Sequence, residues 1–308
     1  MTAIHGPVID VVDLRKRYGR VQALTGLTMT VSPGEVFGFL GPNGAGKTTT
    51  VKLLLGLARP SGGHGTLLGA PLGDREARRR VGYLPELFRF QPWLRALEVL
   101  ALHADLIGLP SAGRRRVFDE VLGLVGLADR AGSSVDGFSK GMQQRLGLGV
   151  ALLGDPALVV LDEPTSALDP IGRIDVRGIL RTARERGAAI FLNSHLLSEV
   201  EQVCDRVAIV DRGRVVAEGP LASVLGEQQT RVRVEGLAPA DLTALTAFGD
   251  PRFDGQDLVF TELPAERIPD LVAALVGMGV RVHEVGSGRE SLEQRFLELV
   301  GQNAETAA

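Results

Sequence analysis

The segment Gly41-Pro42-Asn43-Gly44-Ala45-Gly46-Lys47-Thr48 constrains this chain more than any other. It follows a short apolar run, Val36-Phe37-Gly38-Phe39-Leu40, suited to a buried strand, and it precedes residues 47–56, whose apolar positions have helical spacing. Strand, glycine-rich loop and helix in that order are the setting in which G-x-x-x-x-G-K-T cradles phosphate. The glycines let backbone N–H groups converge on phosphate oxygens without Cβ obstruction. The helix presents its positive end to the same anion. Lys47 supplies a point charge to the outer phosphates, and Thr48 offers a hydroxyl ligand to Mg²⁺. Gly41, Asn43, Gly44, Ala45, Gly46, Lys47, Thr48 and Thr49 are therefore the candidate nucleotide-binding stretch. The loop alone leaves open whether the nucleotide is ATP or GTP.

A second apolar run, Leu158-Val159-Val160-Leu161, ends in Asp162-Glu163. Such a strand can place Asp162 beside a phosphate-bound metal, usually through water, with Glu163 as general base on the attacking water. The competing reading is a buried strand whose end carries solvated acids. The phosphate loop upstream favours the chemical one.

The rest of the chain alternates between strand and helix. Val8 to Val12 and Leu27 to Val31 read as sheet, and Pro33-Gly34 as a turn. Residues 87–153 read as mostly helical, with apolar spacings of three and four in Leu97 to Ile107 and Arg114 to Val125. Gly108 to Ser111 is the break between these two, with Ser111 as a helix cap. A helix over Pro170 to Arg186 and strands over Ala189 to Leu192 and Val207 to Val210 follow. The alternation implies an α/β sheet with parallel members. Gly219-Pro220 closes this pattern. We read residues 1–225 as one domain and residues 226–308 as a small α+β domain, with strands at Arg231 to Val234 and Val280 to Val282 and amphipathic helices over Ala265 to Met278 and Ser291 to Val300. Residues 302–308 read as frayed.

Composition excludes several roles. A net charge of −3 argues against a dedicated nucleic-acid binder. The triplets Arg78-Arg79-Arg80 and Arg114-Arg115-Arg116 read as solvated helix faces. Cys204 is the single cysteine, so no internal disulfide forms and a reducing compartment is the simple reading. The opening residues show no basic region followed by an apolar stretch, so no signal peptide is expected. No run of about 18 apolar residues occurs, so no spanning segment is expected either.

The order of motifs resembles the nucleotide-binding subunits of ABC transporters. Tyr18 lies upstream of the phosphate loop, where that family places an aromatic ring against adenine. Gly82-Tyr83-Leu84-Pro85-Glu86 stands at the family's Q-loop. Phe138-Ser139-Lys140-Gly141-Met142-Gln143-Gln144-Arg145 resembles its signature, Leu161 to Thr165 its Walker B, Ser166-Ala167-Leu168-Asp169 its D-loop, and Ser194-His195 its switch histidine. The resemblance covers residues 8–220 and implies a P-loop ABC-type ATPase core with a helical subdomain, extended here by the small C-terminal domain. It implies that ATP and Mg²⁺ are the cofactors and that Glu163, His195 and Lys47 are the catalytic residues. Thr48, Asp162 and Glu86 would face the metal. Ser139, Gly141 and Gln143 would close on the nucleotide of a second copy, with Asp169 in the D-loop.

The wording of Gly-Tyr-Leu-Pro-Glu and of Phe-Ser-Lys-Gly-Met-Gln-Gln-Arg, with an extension ending near Ser291 to Phe296, further resembles cassettes paired with separate ABC-2-type permeases, many of them drug exporters. A homodimer on a polytopic permease at the inner face of the cell membrane, in the cytoplasm, is what this implies; the permease would recognise the cargo. Two departures stand out. Glu86 replaces the usual glutamine, and Lys140 and Met142 replace the commoner signature wording. A soluble ABC-type ATPase acting on ribosomes or DNA is the alternative. The absence of heptads and of a basic surplus weighs against it.

Overall fold

The computed structural model describes residues 6–305 apart from 167, 227–228, 256, 262 and 289–290. The chain divides into two compact units, Met1–Pro220 and Leu221–Ala308.

The first unit begins with strands β1 (Ile9–Tyr18), β2 (Val21–Val31) and β3 (Val36–Leu40), followed by helix α1 (Lys47–Leu54). Strands β4 (Gly62–Leu67) and β5 (Ala70–Pro71), helix α2 (Arg75–Arg79) and strand β6 (Val81–Leu84) come next. Helices α3 (Ala96–Ile107), α4 (Arg114–Leu124) and α5 (Lys140–Ala151) fill the predominantly helical stretch. The remainder alternates β7 (Leu158–Asp162), α6 (Pro170–Glu185), β8 (Ala189–Asn193), α7 (Leu197–Val203), β9 (Arg206–Asp211) and β10 (Arg214–Pro220).

Two sheets result. One is four-stranded in the order β2-β1-β4-β5, with antiparallel pairs. The other is six-stranded in the order β10-β9-β3-β8-β7-β6, parallel except where β10 turns back on β9. Every residue of β3, β7 and β8 is buried, which explains their unbroken apolar runs: a parallel strand covered on both faces has no polar side to alternate with. The core joins both sheets. Ile9, Leu27, Leu53, Val160 and Val210 belong to it, and Phe191 packs against Phe37 and Phe39 with ring centroids 6.0 and 5.1 Å apart. Helix α5 lies hard against β6. A Cβ on Gly82 would stand 1.6 Å from the Ala151 carbonyl oxygen, so only glycine permits this approach.

The second unit holds α8 (Leu221–Val224), β11 (Gln229–Glu235), β12 (Pro251–Asp254), β13 (Asp257–Thr261), α9 (Ile268–Gly277), β14 (Arg281–Gly288) and α10 (Leu292–Glu305). Its strands form an antiparallel sheet ordered β12-β13-β11-β14 over a core of Val232, Leu245, Leu258, Phe260, Leu271 and Leu275.

Several local expectations are corrected. Ser111 does not cap α4; Gly113 occupies that position with φ 81° and no side-chain bond. Residues 265–278 are not one α-helix. A 3-10 turn at Ala265–Arg267 precedes α9, whose start is set by a proline in its first turn, the one place where a missing N–H costs nothing. Residues 302–305 continue α10 rather than fray, and 306–308 lie outside the described residues. The arginine triplet at 114–116 is paired, with Asp105, Asp119 and Glu120 respectively.

Candidate active site

The site collects at the carboxyl ends of the parallel strands. From β3 the chain enters the glycine loop, and Gly46 caps α1 with φ 104°. A Cβ on Gly46 would meet Leu24 Cδ2 at 2.6 Å and the Ala23 carbonyl at 2.7 Å, and one on Gly41 would meet the Val210 carbonyl at 2.4 Å. Glycine is thus demanded twice by the walls of the loop. No side chain caps the first turn of α1, which leaves its N-terminus to an anion. Lys47 Nζ reaches back across the loop, donating to the carbonyls of Gly41 at 2.7 Å and Pro42 at 3.2 Å. Asn43, Gly44 and Thr48 are exposed, Thr49 is half-buried and Ala45 is buried.

From β7 come Asp162 and Glu163, 4% and 7% exposed. Asn193 Nδ2 donates to Asp162 Oδ1 across the β7–β8 pair. Glu163 takes a left-handed backbone, φ 56°, and its N–H donates to the Asn193 carbonyl at 2.9 Å. His195 Nδ1 lies 2.7 Å from Glu163 Oε2, close but not aligned for a hydrogen bond, so this buried oxygen has no hydrogen-bond partner. Glu86, exposed beyond the end of β6, adds its charge to the same region.

These charges act on one another. Burial lowers the pKa of Lys47, opposed by Glu163, Asp162 and Glu86. Burial raises that of Asp162; the Asn193 bond and Lys47 oppose the rise, while Glu86 and Glu163 add to it. Lys47, Asp162, Glu163 and Glu86 therefore form one electrostatic group, drawn from three strand ends. The group suits a phosphate-bound cation: a crowd of carboxylates, one with an unpartnered buried oxygen, faces a glycine cradle. Among the described residues no cluster of three or more His, Cys, Asp or Glu stands ready to hold a metal unaided. Mg²⁺ does not require one, because it takes one or two carboxylates with phosphate and water.

The remaining expected residues are placed as follows. Tyr18 is 46% exposed at the end of β1, and Lys16 Nζ sits 4.7 Å from its ring centre. Ser139 caps α5, accepting from the Met142 N–H at 3.2 Å. Gly141 stands where a Cβ would approach Leu168 Cδ2 at 3.3 Å. Gln143 donates to the Phe138 carbonyl at 3.2 Å. Asp169 caps α6, accepting from the Gly172 N–H at 2.8 Å. Ala167, within the D-loop, lies outside the described residues. Asn193 is the residue that sequence reasoning missed. Its only sequence signal is a polar side chain ending an otherwise apolar strand.

Comparison with known proteins agrees with this geometry. Residues 24–166 match the family described as ABC transporter. An uncharacterised ABC transporter ATP-binding protein of Nostoc is 43% identical over 302 residues, 95% of this chain and 90% of the relative. The bacitracin transport ATP-binding protein of Bacillus licheniformis is 36% identical over 306 residues, 96% of this chain and 97% of the relative. A solved ATP-binding subunit of an ABC transporter, 35% identical, superposes with a TM-score of 0.66 over 70% of this chain and 91% of that one. With its α/β fold, phosphate loop and acid-bearing strand, the chain belongs to the ATP-binding, ATP-hydrolysing subunits of ABC transporters.

Proposed function

We propose that two copies of the chain close head to tail over two ATP molecules and drive a separate membrane permease. The observation that carries the reading is the buried Asp162–Glu163 pair with an unpartnered Glu163 oxygen beside His195. Glu163 holds the attacking water and takes its proton. His195 orients that water and the terminal phosphate. Lys47, drawn to the loop carbonyls, turns its ammonium to the outer phosphates, and Tyr18 stacks on adenine with the ring face that Lys16 leaves free. Thr48, Asp162 and Glu86 are the residues that would hold Mg²⁺, which would supply positive charge against the charge that develops on the phosphates.

Ser139 and Gly141 of each copy meet the nucleotide of the other. The Ser139 oxygen is engaged as a cap acceptor, which leaves its hydroxyl proton for a phosphate oxygen, and the helix N-terminus adds to the attraction. Gln143 and Asp169 support this closure from the signature and D-loop. ATP binding closes the pair, and hydrolysis reopens it.

No helix among the described residues is long and apolar enough to cross a membrane; the membrane partner is inferred from the family to which the chain belongs. The chain then sits peripherally on the inner face of the cell membrane. Export of a drug-like or hydrophobic compound rests on the motif wording and on the bacitracin transport relative. Residues 1–225 serve as the motor and residues 226–308 as an accessory domain.

The test is Glu163→Gln. ATP should still bind and should drive dimerisation visible by light scattering, with turnover lowered about 10²- to 10⁴-fold. Wild-type turnover in this variant rejects Glu163 as the base. Affinity capture from solubilised membranes should recover a polytopic permease; ribosomes or DNA-bound proteins in its place would favour the soluble-ATPase reading. Unchanged Mg²⁺ dependence in Glu86→Ala would remove Glu86 from the metal site.

A further inference from the structure

Asn193 ends β8 directly opposite Asp162 on β7. Its side chain and its main chain bind different acids: Nδ2 donates to Asp162 Oδ1, and the carbonyl accepts the Glu163 N–H at 2.9 Å. The second bond helps to hold Glu163 in a left-handed backbone, φ 56°, that a residue with a Cβ adopts only when its surroundings impose it.

The amide is incompletely satisfied. Asn193 is 2% exposed, and its Oδ1 has no hydrogen-bond partner. Among the described residues three buried side-chain polar atoms are in this condition: Asn193 Oδ1, Glu163 Oε2 and Thr230 Oγ1. Two of them belong to this one corner of the site. A leucine of similar size would fill the same space but leave Asp162 Oδ1 without its donor, so the amide is accounted for by its bond to Asp162 rather than by packing. What the amide adds is a fixed donor to one oxygen of Asp162, which leaves Asp162 Oδ2 without a described hydrogen bond.

We infer that Asn193 is a positioning residue of the hydrolytic site: it sets the rotation of the Asp162 carboxylate, presenting Oδ2 to the metal, while its carbonyl sets the turn that carries Glu163. The inference rests on the proposed role of Asp162 at Mg²⁺. It assigns Asn193 no contact with nucleotide or metal.

The experiment uses the full chain in a Glu163→Gln background, so that bound ATP stays intact. ATP affinity is measured with and without Mn²⁺, together with the EPR spectrum of bound Mn²⁺ and the Tm. Asn193→Leu keeps the main-chain carbonyl and removes the amide. It should cut the factor by which Mn²⁺ tightens ATP binding about 10- to 100-fold, the usual effect of losing a group that orients a metal ligand. ATP affinity without metal should stay the same, and Tm should fall, because the buried Asp162 Oδ1 loses its donor. Asn193→Ser, which retains a donor, should recover part of the metal effect and serves as the readout if the leucine variant folds poorly. Full Mn²⁺ coupling in both variants, with only Tm altered, overturns the inference. Asp162→Asn is the control. If it too keeps full coupling, the metal-site reading itself fails and the inference falls with it; if it loses coupling while the Asn193 variants do not, only the inference falls.

Discussion

Gln144 Nε2 donates to the Pro164 carbonyl at 2.9 Å, so the helix that begins after Ser139 is pinned to the turn that follows Glu163. The bond is buried and joins segments twenty residues apart in sequence. Gln144→Leu should leave that carbonyl without a donor and destabilise the first unit by about 1–3 kcal/mol, measured by denaturant unfolding. The same variant should loosen the signature helix from the acid-bearing strand, seen as faster amide exchange in α5.

The walls around Gly46 make a second prediction. Gly46→Ala must place a Cβ within 2.7 Å of the Ala23 carbonyl while holding φ 104°. The strain is about 1–3 kcal/mol, and the loop will relieve it by shifting away from β2. ATP affinity should fall sharply, with a smaller loss of stability, in calorimetric titration and thermal unfolding respectively.

Asp162 links the site to pH. Its folded pKa lies above the ordinary 3.8, chiefly through burial. Between 3.8 and that raised value the folded chain carries the proton and the unfolded chain does not, so stability declines as pH rises through this window and stays reduced at neutral pH. Asp162→Asn should therefore raise Tm near pH 7 and flatten the decline while abolishing hydrolysis. A lower Tm at neutral pH in this variant contradicts the argument. Lys47 gives the converse slope. Its folded pKa is lowered, so between that lowered value and 10.5 the unfolded chain binds more protons, and stability contributed by this site rises with pH across that window alone.

Arg177 and Glu199 tie α6 to α7 through two bonds, 3.1 and 2.9 Å, with side chains 20% and 10% exposed. Breaking such a shielded pair by Arg177→Ala should cost about 3–5 kcal/mol, because Glu199 is left charged and buried. Replacing both by apolar residues of similar size should recover most of the Tm. Thermal unfolding of the single and double variants distinguishes a charge-pair contribution from simple packing.

How much of this was legible in the sequence differs from residue to residue, for physical reasons. Gly41 to Thr48 and Asp162-Glu163 could be read because each is a contiguous segment whose neighbours report its setting. Strand β4, Gly-Gly-His-Gly-Thr-Leu, could not: its glycines disfavour a strand, and it is one because β1 pairs with it. Asn193 escaped notice because both its bonds come from the register of β8 against β7, which no local pattern encodes. Ser111 misled because a nearby glycine met the same backbone need without a side chain.

Strand β8 lies between β3, which feeds the phosphate loop, and β7, which ends in the acids. Neighbouring strands stand about 4.8 Å apart, so the lysine-bearing and acid-bearing strands are separated by about 10 Å. The sheet thus acts as a ruler. Its gap is set by backbone hydrogen bonding rather than by any side chain, and it gives a terminal phosphate, a cation and a water room in a row. The strand that spaces the two walls also delivers His195 to the interval between them, so mutation can retune the chemistry of this gap far more readily than its width.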